Sequence, residues 1–468
     1  MSEVDTTYDV IVMGAGPVGE NVADRAGRGG LRVALVERRL VGGECSFYAC
    51  IPSKALLRPI HAAHAASRVR GVSGAQVHPG GVFARRDYWV SGLSDRSAVG
   101  WLDSVGIDLL RGDARLVGER LVQVGDTTYR ASTAVVVATG TSAAVPPIPG
   151  LREAKPWTNI EATTAHVVPD RLVVLGGGVV AAEMAQVYAG LGSTVTVVER
   201  GDRLLARTEP FAGELVADGL RRDGVDVRLG VSAGSVDRRS PGGAVTVALS
   251  DGSSVTGDEV LAALGRTPAT AGLGLEGVGA TLERGYVQVD DRCEVVGVPG
   301  RWLYAAGDVN GRNLLTHMGK YQGRVCGDVI AARAAGRAAD GPGMRAFADG
   351  LGAPQVVFTD PEVAAVGLTL AAAQQRGLDA RAVDVAMTSA SGAGLQADGY
   401  AGKARLVVDE AAGVVVGATF VGQDVADLVH AATVAVVGRV PLDSLWHAVP
   451  SFPSMSEVWL RLLEAYGL

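Results

Sequence analysis

The sequence predicts an α/β protein with two doubly wound parallel sheets, followed by a smaller α+β domain. The prediction rests on a pattern that occurs twice: an apolar strand, a glycine-rich turn, a helix and a second apolar strand. Its strands and turns lie at residues 8–13, 14–19 and 31–37, and again at residues 172–175, 176–181 and 194–199. Apolar segments at residues 404–408 and 414–420 predict strands of the last domain.

Length and composition limit the classes of function. The chain has 468 residues, which is too long for one ordinary core and suits roughly three domains. Hydrophobic residues make up 48% and charged residues 20%, a balance typical of a folded globular protein. The net charge is −7 and the sequence has no long basic run. Neither a nucleic acid nor an anionic membrane is therefore expected as a partner.

The N-terminus and the cysteines indicate the compartment. A strand follows the N-terminus almost directly, so no secretion signal is expected. The longest apolar stretch, residues 172–192, is rich in glycine and broken by Glu183, so no transmembrane helix is expected. The four cysteines are Cys45, Cys50, Cys293 and Cys326. So few do not make a structural disulfide framework, and we expect a cytoplasmic protein whose close pair is either catalytic or incidental.

The first glycine turn has the spacing of a dinucleotide site. Gly14 allows a tight turn, Gly16 lets the backbone approach a pyrophosphate, and Gly19 lets the helix pack closely on the strand. The helix N-terminus then favours the negative phosphates. Glu37 ends the next strand, where its carboxylate can accept hydrogen bonds from ribose hydroxyls. A chance glycine-rich turn is the alternative, and the strand–turn–helix–strand context argues against it.

The second turn repeats this logic with Gly176 and Gly178, and has Ala181 at the last position. Glu199 ends the following strand. A carboxylate there accepts from a free 2′-hydroxyl and repels a 2′-phosphate, which favours NAD(H) over NADP(H). Arg200 is adjacent and can offer a cation to a phosphate, so NADP(H) stays open as the alternative. The sequence thus predicts two Rossmann-type dinucleotide-binding domains.

Residues 42–54 contain the close cysteine pair. Four residues separate Cys45 from Cys50, a spacing that permits a disulfide if a helix begins near Cys45. A helix N-terminus lowers the pKa of a thiol, and the thiolate is the reacting species. Lys54 lies about one helical turn after Cys50 and would add positive charge. The alternative is a pair of buried, unreactive thiols, which the two surrounding nucleotide sites disfavour.

In the order of its motifs the chain resembles the class I pyridine nucleotide–disulfide oxidoreductases, the flavoprotein family of dihydrolipoamide dehydrogenase, glutathione reductase and mercuric reductase. The resemblance covers nearly the whole sequence. Besides the glycine turns and the cysteine segment, it rests on Ala138-Thr139-Gly140, Gly265-Arg266-Thr267-Pro268, Gly307-Asp308 and residues 354–367.

This resemblance implies FAD at the first turn and NAD(P)H at the second. Cys50 would be the thiol nearest the flavin, and Cys45 the interchange thiol that faces a small-molecule substrate. Asp308 would bind the ribityl chain, and Lys54 would pair with Glu183 near the reactive flavin nitrogen. Electrons would enter from the nicotinamide and leave through the disulfide.

The resemblance also implies a division of the chain. Residues 1–149 and 273–345 would form the FAD-binding domain, with Thr139 and Gly140 in the turn that closes it and Arg266 at the return to it. Residues 150–272 would form the NAD(P)-binding domain, and residues 346–468 an α+β dimerisation domain. In that family the last domain completes the active site of its neighbour, so a homodimer is expected.

The C-terminus departs from the family pattern His-Pro-Thr-x-Ser-Glu, because this chain has Phe452 in place of the histidine. That histidine moves a proton to the interchange thiol, and phenylalanine cannot do so. Glu457, which orients the histidine in the family, remains. His447, five residues before Phe452, is a candidate replacement, and an ordinary loop histidine is the alternative.

The cysteine segment departs from the family as well. Phe47 stands where asparagine is common, Ala49 where glycine is common, and Tyr48 adds a second ring. This aromatic bulk predicts a dry substrate face suited to an aromatic or flat molecule. No metal site is predicted, because His61 and His64 share a helix face but such a pair is more often ordinary helix surface.

The leading hypothesis is an NAD(P)H-linked flavoenzyme whose disulfide exchanges electrons with a small molecule. One alternative keeps both cofactors but passes electrons directly to a quinone or another acceptor, and another oxidises a biosynthetic intermediate without the histidine. A non-catalytic binding subunit ranks last. The residues that argue against it are intact: Cys45, Cys50, Lys54, Glu183 and Glu457.

Overall fold

The computed structural model describes residues 6–468. They form two compact units. The first contains the chain up to Pro52 with Asp87–Ser142 and Arg266–Asp349, and the second contains Ser53–Arg86, Ala143–Gly265 and Gly350–Leu468. The first unit holds most of the two segments predicted as the FAD-binding domain. The second joins the predicted NAD(P)-binding segment to the C-terminal segment, so the four-part division stays a prediction.

The helices and strands alternate through most of the chain. The helices are α1 (Pro17–Arg28), α2 (Gly43–Phe47), α3 (Cys50–Ser67), α4 (Pro79–Trp89), α5 (Arg96–Val105), α6 (Asn159–Thr164), α7 (Val179–Gly190), α8 (Pro210–Arg222), α9 (Thr316–Ala334), α10 (Leu370–Gln375), α11 (Ser391–Gln396), α12 (Leu428–Val437), α13 (Leu442–Trp446) and α14 (Val458–Tyr466). The strands are β1 (Thr7–Met13), β2 (Val33–Glu37), β3 (Asp108–Arg111), β4 (Ala114–Gly118), β5 (Leu121–Val124), β6 (Thr127–Val137), β7 (Thr141–Ala143), β8 (Arg171–Leu175), β9 (Thr194–Glu199), β10 (Asp226–Leu229), β11 (Ala233–Arg238), β12 (Val245–Leu249), β13 (Ser254–Gly257), β14 (Glu259–Ala262), β15 (Arg266–Pro268), β16 (Leu282–Glu283), β17 (Tyr286–Val287), β18 (Leu303–Ala305), β19 (Gln355–Val357), β20 (Glu362–Gly367), β21 (Ala380–Ala386), β22 (Lys403–Asp409) and β23 (Val414–Gly422).

The first unit is built around a seven-stranded sheet with the order β3-β2-β1-β6-β5-β4, in which β18 also pairs with β6. β1 runs parallel to β2 and β6, and Val12 lies opposite Leu35 and Val136. The second half of β1 is fully buried, as expected for a parallel strand covered on both faces. Because β1 and β18 run in the same direction, the first glycine turn and Asp308 follow strand ends at the same edge of the sheet.

The second unit contains a four-stranded parallel sheet with the order β10-β9-β8-β14. Val174 of β8 lies opposite Val197 of β9 and Leu261 of β14, which confirms the second predicted strand–turn–helix–strand pattern. Leu56 and Ile60 of α3 belong to the apolar core on this sheet. Burial of these side chains, at about 1.5–3 kcal/mol each, explains why α3 from Ser53 onward belongs to the second unit.

The C-terminal part of the second unit is the predicted α+β domain. Its sheet has the order β19-β20-β23-β22-β21, and its strand pairs are antiparallel. β22 and β23 are the two strands expected from the sequence, and every residue of β23 is buried. Among residues 6–468, no helix combines the length and the apolar character that crossing a bilayer requires.

Candidate active site

The first glycine turn joins β1 to α1 with very little space. A Cβ at Gly14, where φ is +105°, would lie 2.6 Å from the carbonyl oxygen of Ala138. A Cβ at Gly19 would lie 1.9 Å from the oxygen of Gly14. Both positions therefore require glycine for the close approach of helix and strand, as the sequence predicts.

Gly16 has a different environment, because no heavy atom lies within 4 Å of where its Cβ would be. Gly16 is the N-cap residue of α1, and no side chain caps this helix end. The N-terminus of α1 thus presents backbone dipoles to open space, which suits a pyrophosphate. Glu37 accepts hydrogen bonds from the N–H groups of Ala15 (2.9 Å) and Arg39 (2.7 Å), and its carboxylate retains lone pairs for a ribose hydroxyl. These residues fit the FAD that the family resemblance implies.

Within the first unit, the turn at 138–140 contacts Ala269, the residue that follows β15. The hydroxyl of Thr139 donates to the carbonyl of Ala269 (2.8 Å), and the N–H of Ala269 donates to the carbonyl of Gly140 (3.0 Å). Asp308 accepts a hydrogen bond from the hydroxyl of Thr141 (2.9 Å). Burial raises the pKa of Asp308. A carboxyl group that already accepts one hydroxyl is suited to binding a ribityl hydroxyl as well.

Gly307 lies directly before Asp308. A Cβ at this position would come within 2.8 Å of the Val18 side chain, so glycine lets the end of β18 approach α1. Gly307 therefore lies close to α1, and the ribityl role of Asp308 stays a prediction.

Sequence analysis missed the partner of Arg266. Its guanidinium Nη2 lies 2.6 Å from Oε2 of Glu44, the residue that precedes Cys45. The same guanidinium donates from Nε to the Thr141 hydroxyl (2.6 Å) and from Nη2 to the Thr141 carbonyl (2.7 Å). A glutamate beside the cysteine was the available signal, but its partner is 222 residues away in sequence.

The cysteine segment forms two helical pieces. Cys45 lies in α2, and Cys50 is the first residue of α3. Both residues are thiols in this structure, and the side chain of Cys45 is hydrogen-bonded to that of Cys50. The hydroxyl of Thr316, at the start of α9, lies 3.4 Å from the Cys50 sulfur. The structure therefore brings the two predicted sulfurs together and adds Thr316, which lies 266 residues from Cys50 and has no sequence signal.

The electrostatics of Cys45 differ from the sequence expectation. Its hydrogen bond with Cys50, together with burial, raises the pKa of the Cys45 thiol well above its ordinary value. Thr316 and Lys320 act in the opposite direction but do not compensate. The prediction that a helix N-terminus lowers the pKa is wrong for Cys45 in this dithiol form, because a neighbouring thiol outweighs a helix of one turn.

Lys54 and Glu183 form an ion pair within the second unit. Nζ of Lys54 lies 2.6 Å from Oε2 of Glu183, whose side chain is only 3% exposed. The second carboxylate oxygen of Glu183 accepts the N–H of Phe358 at 2.9 Å. Nζ of Lys54 also lies 4.8 Å from the centre of the Phe358 ring. Lys54 is thus held by a buried carboxylate and an aromatic face, and Phe358 is a contact that sequence analysis did not assign.

The second glycine turn follows the first in its geometry. A Cβ at Gly176 would lie 2.4 Å from the carbonyl oxygen of Ala263, whereas one at Gly178 would meet nothing within 4 Å. No side chain caps α7 at Gly178. Glu199 ends β9, and its carboxylate accepts the N–H of Gly201 at 2.6 Å. The arrangement suits a second dinucleotide at this edge of the sheet.

The C-terminal residues around the missing histidine have different surroundings. Phe452 is 76% exposed. Glu457 is only 3% exposed, and it accepts hydrogen bonds from the N–H of Ser391 (2.9 Å) and from Arg461 (2.5 Å). Although burial opposes ionisation, these hydrogen bonds lower the pKa of Glu457. His447 is exposed at the end of α13. Glu457 is therefore occupied by structural contacts within its own chain.

The aromatic residues of the cysteine segment do not share one face. Phe47 is only 6% exposed, and a Cβ on Gly42 would lie 3.1 Å from its ring. Tyr48 is half-buried. The prediction that Phe47 contributes to a substrate face is therefore wrong, because its ring fills the core behind the turn. Of that pair, only Tyr48 retains exposed surface.

The two histidines of α3 and the two cysteines outside the close pair have structural surroundings. His61 contacts Gln186 (3.4 Å), and His64 contacts Asp360 (3.1 Å), so neither is ordinary helix surface. Within the described residues 6–468, no group of three or more His, Cys, Asp or Glu side chains is arranged to hold a metal ion. Cys293 and Cys326 are fully buried, which is typical of structural rather than reactive thiols.

Comparison with known proteins adds the family relation. Residues 8–326 match the family model for pyridine nucleotide-disulphide oxidoreductases, and residues 353–462 match the dimerisation domain of that family. The chain is 34% identical over 470 residues to a dihydrolipoyl dehydrogenase of Thermus scotoductus, which covers 98% of this chain and 97% of the relative. It is 30% identical over 466 residues to a mercuric reductase of Staphylococcus aureus, which covers 97% and 81%. Among solved structures, the Cu(II) complex of the HOCl-induced flavoprotein disulfide reductase RclA from Escherichia coli matches with a TM-score of 0.84 and 26% identity, over 98% of this chain and 99% of that chain.

Proposed function

Because the chain belongs to the pyridine nucleotide-disulphide oxidoreductases, a family of flavoprotein enzymes, we propose that it passes electrons between a nicotinamide nucleotide and a small molecule through FAD, Cys45 and Cys50. The observation that carries this proposal is the hydrogen-bonded contact of the two sulfurs, with the Thr316 hydroxyl beside them. Two sulfurs in contact can open and close as a disulfide, a change of two electrons and two protons.

The two glycine turns support a site for each cofactor. In this proposal FAD would bind at Gly16, with Glu37 for a ribose and Asp308 for the ribityl chain, and NAD(H) would bind at Gly178. The bound FAD would supply two-electron chemistry between the nicotinamide and the sulfurs. The carboxylate of Glu199 supports NAD(H) over NADP(H), because it would repel a 2′-phosphate.

The protein's own groups control charge and protons around this transfer. Opening the disulfide places two protons on the two sulfurs, or one proton and one negative charge. The Cys50 side chain and burial raise the pKa of the Cys45 thiol, which favours keeping a proton on that sulfur. In this proposal any negative charge is carried by Cys50, the sulfur that the family resemblance puts nearest the flavin. Lys54, held by Glu183 and Phe358, supplies a fixed cation.

The acid–base step at the interchange thiol is assigned to a different group from that of typical relatives. Phe452 cannot transfer a proton, and Glu457 is bound by Ser391 and Arg461. We propose His447, which is exposed and lies five residues before Phe452, as the replacement. Unchanged pH dependence of turnover in His447→Ala would remove it from this role.

A second candidate function is the direct reduction of a quinone or another acceptor by the flavin. The observations that favour it lie at the C-terminus: an exposed phenylalanine stands at the histidine position, and Glu457 is already hydrogen-bonded elsewhere. An acceptor reduced at the flavin does not need a proton donor beside Cys45.

The assembly is proposed to be a homodimer in the cytoplasm. The C-terminal segment matches the dimerisation domain of the family. It also exposes apolar side chains, with Val449 83% and Phe452 76% exposed, and a subunit interface would cover them. Fully buried Cys293 and Cys326 thiols are compatible with a reducing compartment.

Anaerobic titration with NADH tests the proposal. We expect the purified yellow protein to develop a long-wavelength thiolate–flavin charge-transfer band, and we expect Cys45→Ser to abolish turnover with the physiological acceptor. Ser46→Ala, the neighbouring position in α2, is the matched control and should retain turnover. Absence of the band, with full turnover in Cys45→Ser, would favour the direct acceptor reaction. A protein that stays colourless after reconstitution with FAD would refute both.

A further inference from the structure

One member of an ion pair lies in the cysteine turn, the part of α2 and α3 that contains Cys45 and Cys50. Glu44 precedes Cys45 in α2, and its Oε2 atom lies 2.6 Å from Nη2 of Arg266. The Glu44 and Arg266 side chains are 27% and 24% exposed, so solvent screens the pair only in part. Neither glycine turn requires a glutamate at this position. An unpaired negative charge here would affect Asp308 and the cysteines.

The ion pair continues to Asp308 through Thr141. Arg266 donates from Nε to the hydroxyl oxygen of Thr141 (2.6 Å), and that hydroxyl donates to Oδ2 of Asp308 (2.9 Å). The carbonyl of Thr141 accepts a further bond from Nη2 of Arg266 (2.7 Å). One continuous chain of contacts therefore joins the residue before Cys45 to the proposed ribityl ligand.

The two members of the pair act with opposite sign on the same neighbour. Burial is the main cause that raises the pKa of Asp308; Thr141 and Arg266 lower it, and Glu44 raises it. At Cys45 the facing groups are Cys50, Thr316 and Lys320, and Glu44 is the adjacent residue. With Glu44 and Arg266 in contact, their charges act in opposite directions on Asp308 and offset each other there.

We propose that Glu44 and Arg266 are positioning residues whose opposed charges hold the cysteine turn near electrical neutrality and fix it to the Asp308 strand end. The inference rests on the proposed function. It predicts that removing either charge alone changes the ease with which Cys45 ionises, and that the two removals act in opposite directions. A pair with a purely structural role would loosen the turn in the same way from either side.

The test uses the reduced holoenzyme. The protein is reduced anaerobically with NADH, and the rate of Cys45 alkylation by iodoacetamide is measured against pH by peptide mass spectrometry. Glu44→Gln leaves the Arg266 cation uncompensated, so we expect the pH midpoint to fall by roughly 0.5–1 unit. Arg266→Gln leaves the Glu44 anion, so we expect a rise of similar size. The double variant should return toward the wild-type midpoint.

A second ion pair of the first unit supplies the matched control. Arg25 and Asp328 are also 2.6 Å apart, but they join α1 to α9 and involve neither the cysteine turn nor Asp308. Asp328→Asn should leave the midpoint unchanged. If Arg266→Gln loses FAD, as flavin absorbance would reveal, Arg266→Lys keeps the charge and should stay near the wild-type midpoint while Glu44→Gln falls.

The outcomes separate this inference from the proposed function. Shifts of the same sign in both single variants, or no shift in Glu44→Gln, overturn the charge-pair role. Wild-type Cys45 that reacts equally before and after NADH is not part of a redox pair, and that result overturns the proposed function instead. Reduction-dependent labelling of the wild type with unshifted variants overturns only the inference.

Discussion

Glu362 makes the stability of the second unit depend on pH. This half-buried carboxyl in β20 accepts the N–H of Ala426 at 3.0 Å, and burial, together with the charges of Asp424 and Asp360, raises its pKa from 4.5 to about 7. Because the folded pKa lies above the unfolded value, the contribution to stability is fully present below about pH 4.5 and is lost as the pH rises through about 7. The difference corresponds to about 3 kcal/mol at most, and partial exposure reduces the expected effect to about 1–2 kcal/mol.

Glu362→Gln removes this titration while its amide oxygen can still accept the N–H of Ala426. Urea unfolding followed by circular dichroism from pH 5 to pH 8 should show little difference at pH 5, and a variant more stable than the wild type by about 1–2 kcal/mol at pH 8. Glu214→Gln, at an exposed position of α8, is the control and should give a difference that does not depend on pH. A pH-independent difference for Glu362→Gln, or a variant less stable at pH 8, would refute the reasoning.

Three further predictions concern the nucleotide sites and the C-terminus. Gly16→Ala meets no protein atom within 4 Å, so it should fold normally but lose flavin absorbance, whereas Gly27→Ala, also without a contact on α1, should retain it. Gly178→Ala should keep its flavin and show a raised KM for NADH in steady-state kinetics, and an unchanged KM would contradict the second site. Glu457→Gln should lower the Tm in a thermal scan without altering the pH profile of turnover, because its contacts are structural; a changed profile would show that Glu457 takes part in catalysis.

Local patterns were sufficient for most of the fold. Each predicted strand of the two glycine-turn units is present, because β1 and β8 end in the apolar runs at residues 10–13 and 172–175, which are typical of parallel strands covered on both faces. The glycine positions were equally predictable, since a Cβ at Gly14 or Gly19 would collide with backbone. The cysteine pair also followed from spacing, because the turn between α2 and α3 brings the two sulfurs together.

Features that depend on distant parts of the chain were not predictable from spacing. Arg266 binds Glu44 across 222 residues, and Thr316 reaches Cys50 across 266. Nothing in a local window distinguishes those side chains from others of their type. Phe47 failed for a related reason: its ring can face either the substrate side or the core, and only tertiary packing decides which.

Glu457 changes the argument about whether the chain has kept its chemistry. An intact family glutamate looks like a retained half of a catalytic dyad, yet burial and bonding to Ser391 and Arg461 give it a folding role that needs no histidine. Removing such a group would leave the N–H of Ser391 and the Arg461 guanidinium without an acceptor, so Glu457 would persist even if catalysis were lost. Its presence therefore does not distinguish an enzyme from a binding subunit. The same reasoning applies to Glu183. Because its carboxylate also accepts the N–H of Phe358, its presence is equally weak evidence for catalysis. The case for disulfide chemistry in this chain then depends on the contact of Cys45 with Cys50, and the Cys45→Ser variant is the substitution that decides it.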